Sequence, residues 1–261
     1  MELNGAVAVV TGASAGFGEL TARLLAKSGA SVVLAARRVE RLEALAGEIV
    51  GRGGRALAVR CDVTEVGDLQ SLRDRVDETF GRCDVLINNA GIPGGGRFEE
   101  VSLEQIERVI RVNLLGVMLC TKVFLPMMLE RPRGHIVNVG SVAGRYATPG
   151  ASVYTASKHG VVAFSEALYY ELAPRGILVT SVNPGFAATE GFPQGRLPSA
   201  IVMPAERVAR AIVDVVRKGK APEVTVPRAL GPWQAFRILT PPLYRWGVRQ
   251  ASKKLGATRA T

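Results

Sequence analysis

Tyr154 and Lys158 stand four residues apart in a stretch whose apolar spacing predicts a helix over residues 153–173, stopped by Pro174. One helical turn separates them, so the phenol and the amine share a face and reach a common site. A free tyrosine titrates near 10, so acid–base work at neutrality needs a shift of roughly 3 units, about 4 kcal/mol in favour of phenolate. A neighbouring ammonium is the kind of group that supplies such a shift, and Lys158 is the candidate. Ser141, just past a predicted strand, offers a hydroxyl to a carbonyl oxygen on which charge develops. With five tyrosines and seven lysines, a Tyr-x-x-x-Lys pair arises by chance in about one such chain in eight, so the weight rests on the combination.

A second cluster is built to meet phosphate. Thr11-Gly12-Ala13-Ser14-Ala15-Gly16-Phe17-Gly18 follows the first predicted strand and leads straight into a helix. Such glycines permit a tight turn, let backbone amides approach an anion and seat the helix N-terminus against it. Gly12, Ser14, Gly16, Phe17 and Gly18 are the candidate contacts, at the spacing G-x-x-x-G-x-G. About 20 residues on, where dinucleotide sites often carry a carboxylate for the ribose, this chain has Arg37-Arg38. A guanidinium binds a 2′-phosphate that a carboxylate would repel, so the expected cofactor is NADP(H), with Arg37 ranked ahead of Arg38.

Taken in order, residues 11–18, Asn88-Asn89-Ala90-Gly91, Asn113, Ser141, Tyr154-x-x-x-Lys158 and Pro184-Gly185-x-x-x-Thr189 resemble the short-chain dehydrogenase/reductase family, over about residues 5–226. The resemblance implies an oxidoreductase moving a hydride between nicotinamide and a small-molecule carbonyl or secondary alcohol. Tyr154 would give the proton and Ser141 polarise the carbonyl. Lys158 would also hold the nicotinamide ribose, and Asn113 anchor a water that relays protons to Lys158. It further implies cofactor contacts from Asn89, Ala90, Gly91, Pro184, Gly185 and Thr189, and adenine contacts from Asp62 and Val63, although Asp62 equally suits a helix cap. A homodimer or homotetramer is implied as well. Phe17 departs from the usual aliphatic residue. Arg145 and Tyr146, with Phe98, Phe186 and Phe192, are expected to rim a largely apolar cleft. Two alternatives stay open: a 3-oxoacyl thioester reductase, and a non-catalytic NADPH-binding sensor or scaffold, against which the full Ser/Tyr/Lys/Asn set argues.

These residues need a scaffold, and the chain alternates apolar runs with helical patterns. Seven strands are expected near residues 6–10, 31–36, 56–60, 85–87, 135–139, 178–182 and 224–226. Most are continuous Val/Ile/Leu/Ala runs, as when both faces of a parallel sheet are covered. The fold class is therefore α/β, a doubly wound Rossmann fold with a seven-stranded parallel sheet. Helices over 19–28 and 40–50 are expected to end at Gly29 and Gly51. A capping box, Ser102-Leu103-Glu104-Gln105, should open a long helix carrying Asn113, and Pro204 should open another. The long loops 91–97 and 186–203 are expected to be lids or binding loops.

Composition sets the outer limits. The 261 residues, 48% hydrophobic and 21% charged, form one catalytic domain (residues 1–227) with a C-terminal extension (228–261), which excludes a disordered or coiled-coil chain. Cys61, Cys83 and Cys120 are odd in number and lack C-x-x-C spacing, so buried thiols of a reducing, cytoplasmic compartment are expected, and no metal. No secretory leader and no uninterrupted apolar span of membrane length is expected. His135 and His159 are read as structural. The net charge of +10 is lopsided: residues 220–261 hold eight Lys or Arg against Glu223 alone. In the extension Leu243, Tyr244, Val248, Ala251 and Leu255 fall on one helical side, opposite Arg245, Arg249 and Lys253, with Trp233, Phe236 and Trp246 nearby. This basic amphipathic helix is expected to dock on the enzyme's own body or a sister subunit, or to touch an anionic membrane through residues 230–255; nucleic acid is not the expected partner.

Overall fold

The computed structural model describes residues 1–131, 133–192 and 202–257, apart from the side chains of 233–236 and 251–257. Seven strands, β1 (Val7–Thr11), β2 (Ser31–Ala36), β3 (Arg55–Arg60), β4 (Val85–Asn88), β5 (Gly134–Val139), β6 (Ile177–Pro184) and β7 (Glu223–Val226), form one sheet in the order β3-β2-β1-β4-β5-β6-β7. Every neighbouring pair is parallel. Each strand lies within two residues of its expected position.

Side chains alternate across each strand, so continuous apolar runs feed two cores. Val9, Val33, Leu86 and Ile136 pack on one face against α3 (Val66–Phe80), α5 (Gly116–Leu129) and α6 (Ser152–Leu172). Val10, Leu34, Ile87 and Val137 pack on the other, against α1 (Gly16–Lys27), α2 (Val39–Gly51) and α7 (Ala205–Lys218). Fully buried side chains such as Phe124 and Ile212 each contribute about 1.5–3 kcal/mol by leaving water.

Five local expectations are corrected. α1 starts at Gly16, three residues early, because the glycine turn runs directly into it. α2 keeps Gly51 within the helix, and Gly53, at φ 81°, takes the left-handed position. Pro204 is extended, at ψ 139°, and precedes the first turn of α7 rather than forming it. The helix opened by Ser102 is interrupted: α4 (Leu103–Ile110) passes through a π turn, Arg111–Leu115, before α5. Ser102 Oγ accepts from Gln105 N at 3.2 Å, but the Gln105 side chain donates to Gly95 O at 3.4 Å instead of closing the capping box. Leu103–Leu129 is long and apolar enough to cross a membrane by composition, yet it is a core helix here, with Cys120, Phe124 and Met128 buried against the sheet.

After β7 come α8 (Pro232–Leu239) and α9 (Pro241–Ala257), divided where Pro241-Pro242 predicts. The segment folds back on the body. Tyr146 Oη donates to Leu230 O at 2.8 Å, and Ala147 N donates to Tyr244 Oη at 2.9 Å. Arg237 donates to Arg145 O and, at 3.0 Å, to His159 Nε2, whose ring donates from Nδ1 to Thr155 O. Leu243 departs from the expected apolar side and is exposed, as are Trp246, Ile238 and Leu239. The side chains of Trp233, Phe236, Ala251, Lys253 and Leu255, and residues 193–201 of the long loop, lie outside the described residues.

Candidate active site

The strand order reverses between β1 and β4, and in open α/β sheets the crevice outside such a switch point receives ligands. Thr11 organises it. Its hydroxyl accepts from Asn89 N and Ala90 N, at 3.0 and 3.1 Å, and bonds Ile87 O at 3.3 Å. The Asn89 amide donates to Thr11 O and Gly12 O, at 3.0 and 3.2 Å, so this side chain ties the glycine turn to the end of β4. A Cβ on Gly18 would stand 2.4 Å from Gly12 O, and Gly12 and Gly16 have φ of 66° and 59°. Only glycine fits this cradle. The N-cap of α1, Ala15, makes no side-chain cap, leaving the first helical amides for an anion. A pyrophosphate fits those donors. Phe17 packs into the core beneath.

Four other residues converge beside the turn. The π turn buries Asn113, whose Oδ1 accepts from Ile92 N at 2.8 Å while Nδ2 donates to Ile92 O at 2.9 Å and Ser157 Oγ at 3.3 Å. Ser157 donates onward to Tyr154 O at 2.7 Å. Lys158 is buried, and Nζ donates to Val139 O at 2.8 Å. A Cβ on Gly91 would lie 3.4 Å from Asn113 Oδ1 and 3.7 Å from Lys158 Nζ, so both groups meet around that residue. Ser141, at the end of β5, accepts from Ala143 N at 3.1 Å and hydrogen-bonds the Tyr154 phenol.

The electrostatics run against one expectation. Burial pushes the Tyr154 phenol above its ordinary value, and the bond with Ser141 offsets this only in part. Burial likewise lowers Lys158 to about 8. Its Nζ is 5.8 Å from the Tyr154 ring centroid and committed to Val139, so the ammonium does not by itself make the phenol acidic. The arrangement holds a protonated phenol beside Ser141 and a lysine poised near neutrality.

Cations gather on the β2 side of the glycine turn. Arg38 donates from Nε and Nη2 to Ser14 Oγ, at 3.2 and 3.1 Å. Arg37 instead faces Asp62, 3.8 Å away. Burial opposes charge on Asp62, but the Thr64 amide and hydroxyl, with Arg37, hold its carboxyl below the usual range. Asp62 thus caps its own turn through Thr64, while the cap of α3 is Glu65. Val63 is buried against Gly116. Gly185 N donates to Val226 O at 2.7 Å, fixing the segment after Pro184, which brings Thr189 over Gly16. Sequence reasoning missed Glu190, which bridges Arg38 and Arg41, each at 2.5 Å. Its partners lie about 150 positions away, beyond any local pattern.

At the rim, Phe192 approaches Tyr154 with ring centroids 5.8 Å apart. Phe98 and Phe186 are exposed. Arg145, expected at the rim of the cleft, is bound to Glu223 and Glu166 and clamps the rim to β7; Tyr146 is bound to the extension. Cys61, Cys83 and Cys120 are buried free thiols, and the described residues contain no metal-binding cluster of His, Cys, Asp or Glu.

Comparison with known proteins agrees with this geometry. The family model for short chain dehydrogenases matches residues 6–196. The chain is 42% identical over 189 residues to a 3-oxoacyl-[acyl-carrier-protein] reductase of Synechocystis, covering 72% of this chain and 76% of that one. A short-chain dehydrogenase/reductase from Burkholderia phymatum in complex with NAD superposes with a TM-score of 0.84 at 30% identity, over 93% of this chain and 96% of that one. An actinorhodin polyketide ketoreductase variant with NADPH gives 0.79 at 36% identity, over 85% and 95%. On the family match over residues 6–196, the identity to these relatives and the superposition, the chain belongs to the short-chain dehydrogenase/reductase family of oxidoreductases.

Proposed function

We propose that the protein is an NADPH-dependent reductase of carbonyl groups on apolar small molecules. The observation that carries this is the meeting of Ser141, Tyr154, Lys158 and Asn113 beside the glycine cradle. When bound, the reduced nicotinamide supplies a hydride to the carbonyl carbon. Ser141 donates a hydrogen bond to the carbonyl oxygen, and Tyr154, kept protonated by burial, delivers the proton. Lys158 and Asn113 sustain proton supply behind it, and Phe192 gives the cleft an apolar wall.

Gly12, Ser14, Gly16, Phe17, Gly18, Asn89, Ala90, Gly91, Pro184, Gly185 and Thr189 line the cofactor path, with Asp62 and Val63 at the adenine. We take Arg38 ahead of Arg37 as the partner of the 2′-phosphate, on the strength of its bonds with Ser14. Among carbonyls, a 3-oxoacyl thioester is favoured by the Synechocystis relative. The test is a screen of 3-oxoacyl thioesters and simple ketones, following NADPH and NADH oxidation side by side. Thioester-dependent oxidation faster with NADPH is expected; no turnover on any carbonyl, or preference for NADH, overturns the reading.

The thiols suit a reducing cytoplasm, and exposed Leu103 and Tyr170 suit burial in a homodimer or homotetramer. The inner side of the extension braces the rim through Arg237 and Tyr244. Its outer side, with Ile238, Leu239, Leu243 and Trp246 exposed among basic residues, we assign to an anionic membrane surface. Co-sedimentation with phosphatidylglycerol vesicles should be lost on removing residues 230–261; unchanged partitioning refutes that assignment.

A further inference from the structure

Two segments about 150 positions apart in sequence meet at one carboxylate. Glu190 follows the Thr189 that is seated on Gly16, Arg38 precedes α2, and Arg41 lies in its first turn. One Glu190 oxygen meets Arg38 and the other meets Arg41, each at 2.5 Å, while Arg38 also holds Ser14. The N-terminus of α2 has no side-chain cap, so its amides add positive potential here. Isolated ion pairs on a surface carry little weight. This one, however, spans the glycine cradle and the proposed phosphate site, and its carboxylate makes the charge-assisted contacts that a 2′-phosphate would make.

We propose that Glu190 is a built-in competitor for the cofactor's 2′-phosphate, and that Arg41 is a second guanidinium which the phosphate takes over from it. This rests on the NADP(H) reading above. Binding NADPH breaks both Glu190 ion pairs and replaces them with phosphate contacts to Arg38, Arg41 and Ser14; NADH has no group to make that exchange. Glu190 therefore sets how strongly the protein discriminates between the two cofactors.

The test is calorimetric titration of the full, cofactor-free chain with NADPH, NADH and 2′,5′-ADP. Glu190→Gln should tighten NADPH and 2′,5′-ADP about fivefold, the scale of two exposed ion pairs. Arg41→Ala should loosen both about tenfold, the scale of one charge-assisted phosphate contact. NADH should change less than about twofold in either. Glu43→Gln, an equal charge change on the exposed side of α2, controls for general electrostatics and should leave NADPH affinity unchanged. Wild type binding NADPH and NADH alike would overturn the cofactor reading itself. NADPH preference that survives both Glu190→Gln and Arg41→Ala unchanged, or tightening by Glu43→Gln as large as by Glu190→Gln, overturns this inference alone.

Discussion

Lys158 is held where an ammonium is costly, which makes Lys158→Met an informative variant. Burial lowers the lysine from an ordinary 10.5 to about 8. At pH 7 both the folded and unfolded states carry the proton, so the fold bears the whole cost of the shift, about 3 kcal/mol. Methionine removes that cost but leaves Val139 O without its donor, a loss of about 1 kcal/mol. The variant should therefore be more stable than wild type by about 2 kcal/mol at pH 7, while losing activity. Between pH 8 and 10.5 the unfolded lysine keeps a proton that the folded one releases, so wild-type stability rises with pH there. At pH 9.5 only about 1 kcal/mol of the cost remains, and the two proteins should be nearly equal. Urea unfolding of the cofactor-free proteins at the two pH values reads this directly. A variant less stable at pH 7, or a gap that does not narrow by pH 9.5, would refute the claim that burial dominates at Lys158.

Two further predictions follow from packing and burial. Gly18→Ala places a Cβ 2.4 Å from Gly12 O and 2.5 Å from Asn89 Nδ2, so it should cost about 1–3 kcal/mol and impair cofactor binding, checked by urea unfolding and calorimetry. His135 is buried and lowered to about 4, with Nε2 donating to Thr180 Oγ1, which itself donates to Lys220 O. Its contribution is complete above about pH 6.5 and lost as pH falls toward 4, so wild type should lose about 2 kcal/mol between pH 7 and 5 from this residue. His135→Gln, which keeps a donor, should lack that part of the slope.

What the sequence made legible follows from the range of each interaction. Strands such as β1 and β2 are continuous apolar runs because both faces are covered, and that pattern is local. Tyr154 and Lys158 are fixed by one helical turn, and the glycine cradle by backbone sterics. The π turn at Asn113 was hidden because one extra residue per turn barely disturbs apolar spacing. The direction of the Tyr154 shift was hidden for another reason: it depends on how deeply the phenol is packed and on Lys158 bonding Val139. Arg38 outranks Arg37 at Ser14, and Glu190 reaches Arg41, only because separate loops meet in space.

The central claim is that Tyr154 protonates a carbonyl oxygen while nicotinamide reduces the adjacent carbon. Single-turnover reaction of NADPH deuterated at C4 with an accepted ketone or 3-oxoacyl thioester, followed by mass spectrometry, tests it. Wild type should place deuterium on the carbinol carbon, and Tyr154→Phe should slow that transfer by roughly 10²–10⁴ while binding NADPH as before. With deuterium at both C4 positions of NADPH, an alcohol product free of deuterium, or transfer by Tyr154→Phe at the wild-type rate, would contradict it.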